Sequence, residues 1–526
     1  MLGQSSTRIP SRSTLAGDRP MTIAFGWSLD FTGTRRAAIV LLVAFAASIL
    51  GQAVFVATTR AGSYDPATDP NSMHSITLAL GAQDWWDEGY TGQGVDIAVI
   101  DTGCAPVPGL DAPGKIVYGP DLSLESQAPN LRGRDTNGHG TFIVSIIAAN
   151  DAGSGAANPN PYTYRGMAPD ARLVCIKVAT ADGGTDVSQV IAAIDWVVQH
   201  QHDNGLNIRV LNLSYGTNST QSYEVDPLAY AAEQAWKRGI FVVAAAGNSG
   251  YQKGKGAPGL ASPAYDPFVM AVGGTARNGN GKGVKESMAS FSASGPGCPG
   301  CRNPDAVAPG AHVQGLRVPG SYVDLSTPPG LLDARFQRGS GTSEATAIVS
   351  GAAALVLQKF PGMTPDQLKK FLQTDTAKIA GADDKAQGKG RINLEKLLDK
   401  NPSNSTQRFD ASTGTGSLEI SRGDDHLTRD GVVLRGEVDI FGHAFDAAAL
   451  AALEANAAAW NGGTWNGNSW SGNSWSGNSW SGNSWSGNSW SGNSWSGNSW
   501  SGNSWSGNSW SGNSWSGNSW SGEAWQ

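Results

Sequence analysis

Val95-Asp96-Ile97-Ala98-Val99-Ile100-Asp101-Thr102-Gly103 is the stretch on which the fold turns. Its mostly apolar run suits a buried strand, and the strand delivers Asp101 at its C-terminal end, where a side chain is held rigidly. Its strand-like part is Asp96 to Ile100, and similar runs follow at Arg172 to Val178, Arg209 to Leu213, Ile240 to Ala246 and Phe268 to Val272. Helix-like segments, Val187 to Gln199 and Asp226 to Arg238, alternate with them. That alternation predicts an α/β domain with a parallel sheet and helices on both faces.

Two further stretches complete a chemical pattern with Asp101. Asn137-Gly138-His139-Gly140-Thr141 precedes an apolar run to Ala149, and Gly341-Thr342-Ser343 precedes a run from Ala345 to Leu357 rich in Ala, Val and Leu. Both runs read as buried helices, which puts His139 and Ser343 at helix N-termini, where backbone N–H groups favour the charge that develops in acyl transfer. A serine hydroxyl is a poor nucleophile until an imidazole takes its proton and a carboxylate holds that imidazole in the right tautomer. Each motif alone is weak, since Asp-Thr-Gly is also a turn and Gly-Thr-Ser a helix cap. In one order along one chain they point to a serine nucleophile.

With these motifs the chain resembles the subtilisin-like serine proteases, the subtilases of peptidase family S8, whose triad runs in the order Asp, His, Ser. The resemblance extends from about Met73 to about Asp399 and includes Gly89 to Gly94, Gly166-Met167-Ala168-Pro169, Asn212 to Gly216, Ala245-Ala246-Gly247-Asn248 and Pro304 to Gly310. It implies a subtilisin-like three-layer α/β fold with a mainly parallel central sheet, and endopeptidase activity on protein or peptide substrates through an acyl-enzyme. It also implies roles: Asp101, His139 and Ser343 as the triad and Asn248 as a donor to the oxyanion. Ser214, Tyr215 and Gly216, with Ala245, Ala246 and Gly247, would line the primary pocket, and Gly183 and Gly184 would form the other wall of a groove that pairs with an extended peptide. Tyr215 replaces the aliphatic residue common there, which implies an altered pocket.

The chain departs from the family after the nucleophile. It reads Ser343-Glu344-Ala345-Thr346-Ala347, without the usual Met and the later proline. Loss of a helical proline leaves the helix intact, and Glu344 is expected to face solvent, where an acid at a helix N-terminus is favourable. The chemistry requires no cofactor. Calcium is common in the family, yet no loop here shows an unambiguous oxygen-ligand pattern, so structural calcium stays open. Of the four cysteines, Cys298-Pro299-Gly300-Cys301 reads as a local disulfide, and Cys104 and Cys175 as small buried residues.

At 526 residues, with a net charge of −7, the chain is long enough for several domains and offers no basic surface for nucleic acid. Residues 1–36 form a polar segment, which a start at Met21 would shorten. Arg35-Arg36 introduce residues 37–57, an apolar run that fits a signal peptide or a membrane anchor equally, and either would export the chain. Residues 58–73 read as a linker, too short for the folded propeptide many secreted relatives carry. Residues 74–400 are the expected peptidase domain. Residues 401–459 read as linker and small accessory region, with a hairpin at Val432 to Phe445 and a helix at Ala447 to Ala459.

Residues 460–526 are a repeat tail in which Trp recurs at every fifth position, fourteen times from Trp460 to Trp525, mostly as Ser-Trp-Ser-Gly-Asn. An odd period gives neither a strand nor a helix one apolar face, which leaves turn-rich stacking or disorder. Its rings suit association with a cell surface, a glycan or other copies of itself, against the plainer reading of a flexible extension. The alternative to an active peptidase is a silent protease domain on a surface-binding protein.

Overall fold

The expected first strand forms as β1 (Asp96–Asp101), buried along its whole length. At its start Asp96 takes a two-pronged contact from Arg172, Oδ1 to Nε at 2.7 Å and Oδ2 to an Nη at 2.6 Å, which fastens β1 to β3 (Arg172–Lys177). The remaining strands of the main sheet are β2 (Ile116–Asp121), β4 (Ile208–Leu213), β5 (Phe241–Ala245), β6 (Met270–Asn278), β7 (Lys285–Met288) and β8 (Ala306–Pro309). Their order is β2-β3-β1-β4-β5-β6-β7, with β8 also pairing β6. Every pairing is parallel except β6 with β7. The candidate residues therefore follow the C-terminal ends of β1, β3, β4 and β5, the edge at which open parallel sheets bind ligands. Beside the sheet, β9 (Val313–Leu316) and β10 (Phe336–Gly339) form a two-stranded ribbon.

The helices form where the sequence supplies starts and apolar faces. After α1 (Met73–Leu80) and α2 (Ala82–Asp87) come α3 (His139–Ala148), α4 (Val187–Gln199), α5 (Pro227–Lys237), α6 (Thr342–Lys359) and α7 (Pro365–Leu372). Asp186 and Gln189 make a capping box for α4, and Asp226 caps α5 ahead of a proline at its first position. Helix α6 is buried on every side from Thr342 to Leu357, as a central core helix should be. It packs on α3 and on β4, β5, β6 and β8, while α4 packs on α5 and β1, giving a three-layer α/β body.

The structure, a computed structural model, describes residues 64–151, 160–251, 259–279, 283–295, 302–424, 426–429 and 432–469. All of them belong to one unit. The expectations for residues 1–57, for the Cys298–Cys301 pair and for most of the repeat tail lie outside these residues. Residues from 64 onward are already part of the body: Trp85 Nε1 donates to the Leu394 carbonyl at 2.9 Å and Trp86 Nε1 to that of Met167 at 3.0 Å.

Cys104 and Cys175 differ from the sequence reading, because they are joined as a disulfide 71 residues apart in sequence. Closing a loop of that length removes unfolded-chain entropy worth roughly 4 kcal/mol in the chain-entropy description.

The polar stretch after residue 400 is likewise no free linker. Gln407 bonds Asp366 and the Phe268 carbonyl, and the Ser412 N–H donates to Glu233 at 2.7 Å. Helix α8 (Leu418–Arg422) ends in Arg422, fully buried against Asp186 at 2.6 Å. The expected hairpin is displaced, pairing β11 (Thr428–Arg429) with β12 (Val432–Val433), and α9 (Ala447–Ala455) is shorter than the alanine run suggests.

The first repeats fold as a small meander of β13 (Trp460–Asn461), β14 (Thr464–Trp465) and β15 (Asn468–Ser469). Both turns have positive φ at their two central residues, Gly462-Gly463 and Asn466-Gly467, the turn type that matches strand twist. Trp460 and Trp465 pair across strands, and their indole N–H groups donate to the Ala192 carbonyl at 2.8 Å and to Asp195 Oδ2 at 2.7 Å on α4.

Candidate active site

Asp101 ends β1 with its carboxylate buried. Oδ1 accepts the Thr102 N–H at 2.7 Å and lies 2.7 Å from His139 Nδ1, itself buried. A carboxylate on Nδ1 selects the tautomer with its proton there and leaves Nε2 as the acceptor. His139 opens α3, whose cap, Gly138, has φ 103° and no side-chain cap. A Cβ at Gly140 would strike the Gly103 carbonyl, so glycine is what lets the aspartate turn and the histidine helix meet.

Asp135 does the work of the missing cap. Its Oδ1 accepts from Gly138 N and Thr102 Oγ1, both at 2.8 Å, and its Oδ2 accepts from Thr141 N at 2.7 Å and Thr141 Oγ1 at 2.6 Å. Thr102 Oγ1 in turn accepts the Gly140 N–H at 2.8 Å. Beneath this clamp Lys177 Nζ bonds the Thr102 and Ala179 carbonyls and lies 3.0 Å from Glu125 Oε2, with both side chains buried. Burial pulls the Lys177 ammonium down, but the Glu125, Asp121 and Asp135 carboxylates outweigh it and hold it above its ordinary value. Sequence reasoning overlooked Asp135, which stands three residues before the cap Gly138 and so outside the position at which an Asp signals a helix start.

Ser343 is the second residue of α6 and is also buried. Its Oγ donates to the Ser214 carbonyl at 3.3 Å, and Ser214 Oγ returns a bond to the Ser343 carbonyl at 3.1 Å. Asn248, beyond β5, accepts from Thr342 N at 2.8 Å and Thr342 Oγ1 at 3.0 Å through Oδ1. That fixes the amide's orientation and directs its donor end, Nδ2, toward Gly341, where an added Cβ would lie 3.3 Å away. Helices α3 and α6 pack on one another, so the base and nucleophile helices share a face.

The expected pocket residues are placed as follows. Ala245 and Ala246 are fully buried at the end of β5, and Gly247, at φ 105°, donates to Thr342 Oγ1 at 3.1 Å. Tyr215 is buried in the apolar core. At Gly216 a Cβ would meet that of Ala261 at 2.6 Å, and Gly183-Gly184 close a tight turn in which Thr180 N donates to the Gly184 carbonyl. The C-terminal segment touches the chain beside both stretches. Leu427 packs over Gly184, Ser421 accepts from Thr217 Oγ1 at 2.6 Å, and Asn218 Nδ2 donates to Asp424 at 2.8 Å. Nothing in its polar composition announced this.

Glu344 overturns its expectation. It is buried, not solvent-facing, and its carboxyl fills a notch at Gly339 and Gly341. Among the described residues no group of three or more His, Cys, Asp or Glu side chains converges as metal ligands do, and no helix is long and apolar enough to cross a membrane.

The family model described as "Subtilase family" (Peptidase_S8) matches residues 92–407. Serine protease AprX of Bacillus subtilis (strain 168) is 36% identical over 308 residues, covering 58% of this chain and 66% of AprX. Subtilisin BL of Lederbergia lenta is 35% identical over 309 residues, covering 59% of this chain and 92% of that protein. Among solved structures Sphericase aligns with 27% identity and a TM-score of 0.45, over 58% of this chain and 92% of its own.

Proposed function

The chain belongs to the subtilase family and is a serine-type endopeptidase, and from that premise we propose the residues and steps by which it works. Ser343 Oγ attacks the peptide carbonyl while His139 Nε2 takes its proton, with Asp101 fixing the imidazole and stabilising the imidazolium. The tetrahedral oxyanion is received by the Ser343 N–H and Asn248 Nδ2. His139 then returns the proton to the leaving amine, and water, activated by the same imidazole, hydrolyses the acyl-enzyme. The observation that carries this reading is the buried 2.7 Å contact between Asp101 and His139, on the helix that packs against the one whose first turn holds Ser343.

The substrate backbone pairs in extended form between Gly183-Gly184 and Ser214 to Gly216, with Ala245 to Gly247 at the floor of the primary pocket. The chemistry needs no cofactor, and no calcium site is assigned. Residues 74–400 are taken as the peptidase domain and residues 401–459 as an accessory wrap on it. The repeat tail serves in surface, glycan or self-association beyond its root at Trp460 and Trp465.

Export through residues 37–57, cleaved or retained as an anchor, is supported by the Cys104–Cys175 disulfide, a bond that persists in oxidising compartments. The test is casein cleavage by the purified chain and by Ser343→Ala. Cleavage by the parent and none by the variant is the expected result, and equal cleavage by both overturns the assignment.

A further inference from the structure

Glu344 follows the proposed nucleophile and is buried, yet among the described residues its Oε2 has no hydrogen-bond partner. The space it occupies is made by glycines. A Cβ at Gly339 would collide with Glu344 Oε1, and one at Gly341 would stand 2.9 Å from Oε2 and 3.3 Å from Asn248 Nδ2. The carboxyl and the donor end of Asn248 thus flank the same point, with the Phe142 ring closing the notch beside Gly339.

No cation answers the carboxyl among the described residues. Arg338 on β10 is paired with Asp69 at 3.0 Å and with the His312 carbonyl at 2.9 Å. The N–H of His312, beside β9, donates to Ser340 Oγ. On α3, His139 is held by Asp101, and the Asp101 charge reaches Glu344 with the same sign as its own. Within α6, Lys359 lies at the far end, bonded to the Leu398 carbonyl. Burial pushes the Glu344 carboxyl up to about 8; its own backbone N–H works against that rise and Asp101 adds to it.

We propose that Glu344 works as a neutral carboxylic acid beside the oxyanion site and that its ionisation is an alkaline off-switch for this peptidase. The inference rests on the reading of Ser343 and Asn248 given above. While protonated, the group adds no charge where negative charge develops. When it gives its proton to solvent, the carboxylate opposes the oxyanion from a buried position. A unit charge several ångströms away, at an effective dielectric near 20, lowers the rate by roughly tenfold or more. Glu344 is on this view a positioning residue, acting through the field at the oxyanion and not by proton transfer to substrate.

The discriminating measurement is the pH profile of kcat/KM on a chromogenic peptide for the parent, Glu344→Gln and Glu344→Met. The quantity read is each protein's ratio of kcat/KM at pH 9.5 to that at pH 7, about which absolute activity is silent. The parent's rate should fall above about pH 8, and both variants should lose that limb, raising the ratio roughly tenfold. The same alkaline limb in both variants overturns the proposal.

A second readout needs no turnover. The carboxyl is neutral in the folded chain up to about pH 8 but ionised in the unfolded chain above its ordinary 4.5, so the native state holds the extra proton between these values. Stability should therefore fall as pH rises through that window and level off above it. In a Ser343→Ala background, Glu344→Gln should widen its advantage in melting temperature from about pH 5 to about pH 8; parallel curves count against the proposal. Fluorophosphonate labelling at pH 7 separates the two levels. An unlabelled, folded parent undoes the reading of Ser343, whereas a labelled enzyme with an unchanged alkaline limb undoes only the role of Glu344.

Discussion

Helices α3 and α6 both begin on a glycine with no side-chain cap, and both put a proposed catalytic residue in their first turn, yet their surroundings are opposite. At the start of α3, Asp135 accepts four hydrogen bonds and Thr102 a fifth contact, with the Lys177–Glu125 pair beneath. At the start of α6, a buried carboxyl carries an oxygen with no partner among the described residues. The difference fits the two tasks. A general base must be held in one tautomer and one orientation, which rewards the Asp135 network around it, although Asp101 Oδ2 has no partner among the described residues. The nucleophile's end must receive negative charge, and there a saturating carboxylate would be harmful.

The largest effect should come from breaking the α3 side at its centre. His139→Ala should lower kcat by about 10⁶-fold, the magnitude known for subtilisin itself, with the chain still folded. A loss below tenfold on a peptide substrate would remove His139 from the mechanism. At the receptive side, Asn248→Ala should lower kcat by about 10²–10³-fold with KM little changed, again the scale seen in subtilisin. A change confined to KM would make Asn248 a binding residue.

The same chemical change, acid to amide, should then have opposite signs at the two helix starts. Asp135→Asn replaces one of two accepting oxygens with a donor facing the donors of Thr141, and should destabilise the fold by about 3 kcal/mol in denaturant titration. Glu344→Gln removes a carboxyl that must take up a proton to be buried without a partner, and at pH 8 should stabilise by on the order of 1 kcal/mol. Equal losses at both positions would erase the contrast between the two ends.

The sheet and the helices α3, α4, α5 and α6 were legible because apolar runs and caps are local signals: β1 is buried end to end, and Asp186 and Asp226 cap as such residues do. The site motifs were legible for the same reason, each being a short string at the end of a strand or the start of a helix. What escaped depends on contacts between distant segments. Cys104 and Cys175 are 71 residues apart, and spacing carries no pairing information.

Glu344 was misplaced because a helix N-terminus favours an exposed acid, and only the notch made by Gly339 and Gly341 turns it inward. The stretch after residue 400 reads as linker because its polar side chains look solvated, whereas Arg422 and Ser421 spend them on Asp186 and Asp226. Trp460 and Trp465 belong to a repeat with no simple apolar face, and they are buried through two tight turns instead of a regular strand.

The most direct measurement is the site of covalent capture. The folded chain would be treated with a fluorophosphonate at pH 7, its intact mass recorded, and the adduct mapped by peptide mass spectrometry. One adduct per chain on Ser343, abolished in His139→Ala, is the predicted result. No adduct on a well-folded chain, or an adduct on another residue, would contradict the assignment of Ser343 as the nucleophile.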